Sequence, residues 1–262
     1  MALKIRNEGV RKFFWGFLSI FLVFVLWYFA SQLDHMKNLL PNPINVIKFI
    51  GISVIAPIGK TTLFGHLYWS MTRVMTGYIL ASIVGIILGF FCGWSKLGSA
   101  LIKPIYSVLR SIPSIAWIPL AILWFGIGEN SKYFIIFIST MLIIMTNVID
   151  GVKDVDESYL DVARMLGTKE NQLFLHIVLP CAVPQIFNGL QVALGAAWAT
   201  VIAAEMVRSS KGVGWLILMG QTSMNMTQVF AGIIVIGLVG LTLALIMRWL
   251  ESKLCAWNIR GK

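Results

Sequence analysis

The sequence predicts an all-α polytopic membrane protein with about six transmembrane helices. Of its 262 residues, 58% are hydrophobic and only 12% are charged, whereas an ordinary soluble domain carries roughly 25% charged residues. Mean hydropathy is +0.84. The apolar residues also fall into uncharged runs close to the ~20 residues that cross a bilayer as a helix. Together these features exclude a soluble globular protein, which lacks the charges here to cover its surface, and a disordered chain.

The runs follow one another along the chain. The first, Phe13 to Leu33, begins directly after Lys12. A cleavable signal peptide is the alternative reading, because Lys4, Arg6, Arg11 and Lys12 precede it. Its length, its aromatic content and the lack of an A-x-A site favour an uncleaved span. Residues 34–65 form the main outer stretch, opened by the rigid turn Leu40-Pro41-Asn42-Pro43. Ile44 to Val54 is then a short interfacial helix. Span two covers about 69–95, span three about 104–128 and span four Tyr133 to Ile149. Pro180 and Pro184 are expected to break the chain as it enters span five, at about 182–206, and span six follows at about 227–248. The resulting organisation is a tail, first span and outer segment at 1–65, a core at 66–250 containing the inner loop 150–181, and a tail at 251–262.

Net charge is +10, and its placement sets the orientation. With the N terminus inside, the inner segments hold Lys4, Arg6, Arg11, Lys12, Lys96, Lys103, Lys153, Arg164, Lys169, Lys253, Arg260 and Lys262. The outer segments hold Lys37, Lys48, Lys60, Lys132, Arg208 and Lys211. This imbalance predicts N-in, C-in and accounts for most of the basic charge without nucleic acid as a partner. One segment breaks the pattern. The inner loop 150–181 holds six of the eleven acids: Asp150, Asp154, Asp156, Glu157, Asp161 and Glu170.

Small residues recur every fourth position in span two, at Gly77, Ala81, Gly85, Gly89 and Gly93. Such a stripe lets helices approach closely in lipid, either within one chain or at a seam between copies. Gly195, Ala199 and Ala203 repeat the pattern in span five. Cys92, Cys181 and Cys255 lack zinc or CxxC spacing and read as reduced packing residues. Ile58-Gly59-Lys60-Thr61-Thr62 resembles the end of a phosphate-binding loop, but Val54 stands where that loop needs glycine. No nucleotide site of the chain's own is expected, and neither is a metal site or a catalytic constellation.

The informative motif lies in the acidic loop. It reads Asp161-Val162-Ala163-Arg164-Met165-Leu166-Gly167, nine further residues, then Ile177-Val178-Leu179-Pro180. Here the chain resembles the permease subunits of binding-protein-dependent ABC importers, whose signature is EAA, three residues, Gly, nine residues, Ile-x-Leu-Pro. Gly167, Ile177, Leu179 and Pro180 match in register; Asp161 replaces Glu and Val162 replaces Ala. Residues 159–166 can form a short helix that Gly167 ends. The resemblance implies a type I ABC importer permease fold in the bacterial plasma membrane. It also implies an ATPase-coupling site at Tyr159, Asp161, Ala163 and Gly167, braced by Ile177, Leu179 and Pro180.

Two further stretches narrow the resemblance to the taurine, aliphatic-sulfonate and nitrate permease group. They are Ile115-Ala116-Trp117-Ile118-Pro119-Leu120 with Trp124 to Glu129, and Ala197 to Met206 with Gly212-Val213-Gly214. Taurine or another aliphatic sulfonate is the expected solute. Nitrate, bicarbonate and riboflavin or thiamine precursors remain open. The implied partners are a second permease copy, two ATPase subunits on the cytoplasmic side, an outer substrate-binding protein and membrane lipid. ATP and Mg belong to the ATPase, and this chain is expected to bind no cofactor and to catalyse no reaction.

Ionisable residues inside spans are costly and functional by default. Arg73 and Glu205 lie at similar depth near the outer ends of spans two and five, so an ion pair and a place in the substrate path are both open. Arg110 lies in the inner part of span three. Ser139, Thr140, Thr146 and Asn147 in span four, and Trp198 and Thr200 in span five, are candidates to line a path, with helix–helix hydrogen bonding as the alternative. An ion-gradient-driven transporter is the competing class, but it calls for internal repeats and intramembrane carboxylates. No repeat is evident, and Glu205 is the one candidate carboxylate.

Overall fold

The structure is a computed structural model that describes residues 2–36, 39–207 and 209–255. Lys37, Arg208, Arg260 and Lys262 lie outside the described residues, as do the side chains of Lys4, Arg6 and Lys12. The described chain is helical: α1 (Ala2–Ala30), α2 (Pro43–Ser53), α3 (Leu63–Trp94), α4 (Lys96–Arg110), a 3-10 turn (Ser114–Trp117), α5 (Ile118–Phe125), α6 (Glu129–Lys153), α7 (Glu157–Met165), α8 (Glu170–Leu173), a π turn (Phe174–Val178), α9 (Leu179–Val207), α10 (Val213–Thr222) and α11 (Met226–Leu254). Among the described residues, four helical stretches are long and apolar enough to cross a membrane: 63–94, 129–153, 170–207 and 226–254. A fifth is available if α4 and the 114–125 stretch count as one span.

The chain divides into two compact units. In the first, residues 1–64 and 216–235, Asn42 caps α2 by accepting from Ile44 N, with Pro43 in the first turn as helix entry favours. Trp27 donates Nε1–H to Pro41 O at 3.1 Å and lies against Phe230. The Ile58-Gly59-Lys60-Thr61 segment is a tight turn, Ile58 N donating to Thr61 O at 2.9 Å.

In the second unit, residues 65–215 and 236–262, α6 is the buried centre. Ile136, Ile144 and Val148 are fully buried. The glycine stripe of α3 meets this helix. A Cβ on Gly77 would lie 2.6 Å from Ile136 Cγ2, one on Gly85 3.2 Å from Ile144 Cβ, one on Gly89 2.6 Å from Val148 Cβ, and one on Gly93 3.0 Å from Val152 Cβ. The residue offset is constant, so α3 and α6 run parallel in register, and the stripe serves packing within the chain. On another side of α6, Gly189 of α9 faces Asn147 and Gly151 faces Gln185, which makes α6 and α9 antiparallel. The α9 stripe behaves differently: nothing lies within 4 Å of a Cβ at Gly195.

Two expectations are corrected. The third predicted span is not one straight helix. It is a pair bent by 95° between Arg110 and Ser114, where Pro113 has no N–H to continue the ladder. Pro180 and Pro184 do not break the fifth span either; a helical stretch runs from Glu170 to Val207. The π turn just before Pro180, closed by Leu179 N donating to Phe174 O, widens the helix where a proline removes a donor.

Replacing Gly89 with leucine drives a side chain into Val148 and is expected to destabilise the fold by about 1–3 kcal/mol. Gly195→Ala, with open space around it, is expected to raise stability by up to about 1 kcal/mol. Thermal unfolding in detergent checks both.

Candidate functional site

Three places on the chain carry chemistry. The first is the inner loop. Asp156 caps α7 by accepting from Ser158 N at 2.9 Å, and this hydrogen bond holds its carboxyl below the usual carboxylate range. At the other end Gly167 adopts φ +78°. Gly167 N donates to Arg164 O at 2.9 Å and Thr168 N to Ala163 O at 3.1 Å, the paired bonds of a Schellman cap. The helix sorts its residues by face. Leu160 packs on the protein and Ala163 is buried. Tyr159, Val162, Met165 and Leu166 point outward, the last two 87% and 80% exposed. Asp161 is exposed and bonds Arg164 at 3.3 Å. Ile177 packs with Phe174 and Val178 against the α6–α9 core, while Leu179 and Pro180 open α9.

The second place is an ionic cluster where α3, α6 and α9 meet the 209–214 loop. Arg73 donates through Nη1 to Glu205 at 2.7 Å and to Lys211 O at 2.9 Å. Its Nε and Nη2 grip both oxygens of Glu129 at 2.5 and 2.8 Å. Lys132 Nζ donates to Glu129 at 3.0 Å and to Ser209 Oγ at 3.2 Å. Glu205 is fully buried and also accepts from Ser70 Oγ and from Gly214 N at 2.9 Å. Gly212 shows why this loop carries glycine: its φ is +118° and a Cβ there would sit 2.3 Å from the Glu205 carboxyl. The Arg73–Glu205 pair expected from depth is therefore present. Glu129 and Lys132 complete it; at a helix start, outside the uncharged run, they read from the sequence only as a motif position and an outer charge.

The third place is a cavity of about 350 Å³ in the elbow of the bent pair. Arg110, Ile112, Pro113, Ser114 and Trp117 line it from the elbow. Ile138, Ser139, Leu142, Ile143, Thr146 and Asn147 line it from α6, and Ala196 from α9. Arg110 Nη1 donates to Tyr106 Oη at 3.3 Å, Tyr106 Oη bonds Thr146 Oγ1, and Thr146 donates to Leu142 O at 2.8 Å. The structure thus brings Ser139 and Asn147 of the expected path together with Arg110. Arg73 and Glu205 are absent from the lining. Trp198 is packed against α11, its Nε1 donating to Ile236 O at 3.1 Å, and Thr200 is buried. The importance of Arg110 depends on the bend, which a reading as one straight span concealed.

Residues 82–254 match the family described as binding-protein-dependent transport system inner membrane component. The chain is 32% identical over 256 residues to a putative aliphatic sulfonates transport permease protein of Bacillus subtilis, covering 97% of this chain and 91% of the relative. It is 32% identical to the taurine transport system permease protein of Escherichia coli (93% and 88% covered). It is 34% identical to a nitrate import permease protein of Leptolyngbya laminosa (94% and 89% covered). Among solved structures, an inward-facing form of the MetNI methionine ABC transporter aligns with TM-score 0.59 at 17% identity, over 73% of this chain and 93% of that one. An amino acid ABC transporter aligns with TM-score 0.61 at 14% identity, over 80% and 96%. Both show the same fold. The chain belongs to the permease family of binding-protein-dependent ABC importers: it is an inner-membrane transport subunit and not an enzyme, and it works with a separate ATPase and a substrate-binding protein.

Proposed function

We propose that this permease moves a small polar or anionic solute inward, taurine or another aliphatic sulfonate by preference, and that α7 is where the ATPase docks. Nitrate, bicarbonate and vitamin precursors are the alternative cargo. The exposed apolar face of α7 carries the reading. Tyr159, Val162, Met165 and Leu166 lie together in the water-facing loop, where an uncovered apolar group of this kind marks an interaction surface. Asp161 sits beside that face, Ala163 spaces the helix from the core, and Gly167 fixes its end. Ile177, Leu179 and Pro180 tie it to α9. Two permease copies form the pore, each crossing six times with both termini inside and α1 as the first crossing. Each copy holds one of two ATPases, which bind ATP and Mg. Ser139 and Asn147 line the path.

In the same proposal Arg73 and Glu205 act as a structural clamp. The support is saturation: each carboxylate oxygen and the guanidinium already have protein partners. Trp198 and Thr200 serve helix packing beside it.

Met165→Glu places a charge in the docking face and is expected to abolish co-purification of the ATPase while leaving thermal unfolding of the permease unchanged. Gly167→Val forces a β-branched residue to positive φ, where an L-residue costs roughly 1–2 kcal/mol, and is expected to weaken co-purification in part. Retained assembly in both variants contradicts the docking assignment. The Asp156 cap has a pKa lowered by folding, so its contribution is present above the unfolded pKa and fades only as pH falls through the lowered value. Docking is therefore expected to be insensitive to this group over roughly pH 5–8, as pull-down across that range checks. Arg73→Met leaves the fully buried Glu205 carboxylate without its cation and is expected to cost about 3–5 kcal/mol of stability, read by thermal unfolding. An unchanged midpoint with lost uptake would instead favour a transport role.

A further inference from the structure

Arg73 is buried and Arg110 is exposed, and they stand in opposite situations. Arg73 is met by two carboxylates. Arg110 has no carboxylate partner among the described residues; its side-chain hydrogen bond goes to Tyr106 Oη at 3.3 Å. Because Thr146 spends its hydroxyl proton on Leu142 O, Tyr106 donates to Thr146 and turns its oxygen toward Arg110. That relay uses one of the five guanidinium donors and orients the others. Arg110 closes α4 at the bend of the pair 96–125 and is exposed, so its remaining donors stay open to an anion.

The cavity beside it gives such an anion a place. At about 350 Å³ it falls within the size range of small-molecule sites. Its lining holds one charged side chain, Arg110, and no Asp or Glu. Most of the remaining wall is apolar, with Trp117, Ile138, Leu142 and Ile143. Ser139 and Thr146 spend their hydroxyl protons on carbonyls of their own helix, so they do not supply an anion with further donors.

We infer that the elbow cavity is a substrate subsite within the permease itself, in which Arg110 takes the sulfonate head and the apolar wall takes an unsubstituted alkyl tail. This rests on the aliphatic-sulfonate reading above and sharpens it. A zwitterion such as taurine finds no carboxylate there for its ammonium group, and nitrate leaves the apolar wall unfilled. The site therefore prefers simple alkanesulfonates to both.

Isothermal titration of the full-length chain in phosphatidylcholine nanodiscs tests this with butane-1-sulfonate, taurine and nitrate as probes. Butane-1-sulfonate is expected to bind about tenfold or more tighter than either competitor. Arg110→Gln is expected to weaken it by roughly 10- to 100-fold, the loss of a charge-assisted hydrogen bond. Ala196→Leu, which fills the cavity from α9 without touching Arg110, is expected to weaken it as well. Equal binding of taurine, or unchanged butane-1-sulfonate affinity in either variant, overturns the inference. ATPase capture by the same chain separates the two levels: capture without sulfonate binding sinks the subsite alone, whereas loss of capture sinks the docking proposal.

Discussion

Everything else in the core depends on how closely α6 can be approached. Lipid supplies no hydrophobic drive between helices, so packing contacts must hold them together. The sequence meets this constraint with glycine where α3 and α9 cross α6. Four glycines of α3 lie over Ile136, Ile144, Val148 and Val152, Gly189 of α9 lies over Asn147, and Gly151 of α6 itself lies under Gln185. At such separations a side chain on either helix is felt at once. Neighbouring helices then have little freedom to slide independently of α6.

That central helix also carries each place where chemistry gathers. Its first turn supplies Glu129 and Lys132 to the ionic cluster. Its middle supplies Ser139 and Asn147 to the elbow cavity. Its last residue, Lys153, leads within three residues to the Asp156 cap of α7. A force applied to α7 therefore has a short route to the cavity, through α6 and through the π turn into α9. The ionic cluster pins the opposite ends of the same helices.

Most of this arrangement was legible in the sequence, and the failures share one cause. Uncharged runs located the long helices, Gly167 marked the end of α7, and matched depth raised the Arg73–Glu205 pair that the structure contains. Composition and periodicity do not report direction. The 95° bend at Pro113 therefore read as a continuous span, and the continuous helix through Pro180 and Pro184 read as a break. The same gap hid Arg110 as a cavity residue and left Glu129 as a motif letter with no partner. Proline marks where a backbone donor is lost; neighbours that only the folded chain reveals decide whether the helix bends or bulges there.

The central claim is that the elbow cavity lies on the path and that α7 switches its access. The direct measurement is reactivity of a single cysteine at Ser114, in a background without Cys92, Cys181 and Cys255, toward an impermeant thiol reagent. It is made on the complete transporter in vesicles, with reagent on one side at a time. Labelling from the cytoplasmic side in the nucleotide-free complex, moving to the outer side when ATP is trapped, is the predicted result. Labelling that is the same from each side in both states contradicts the account.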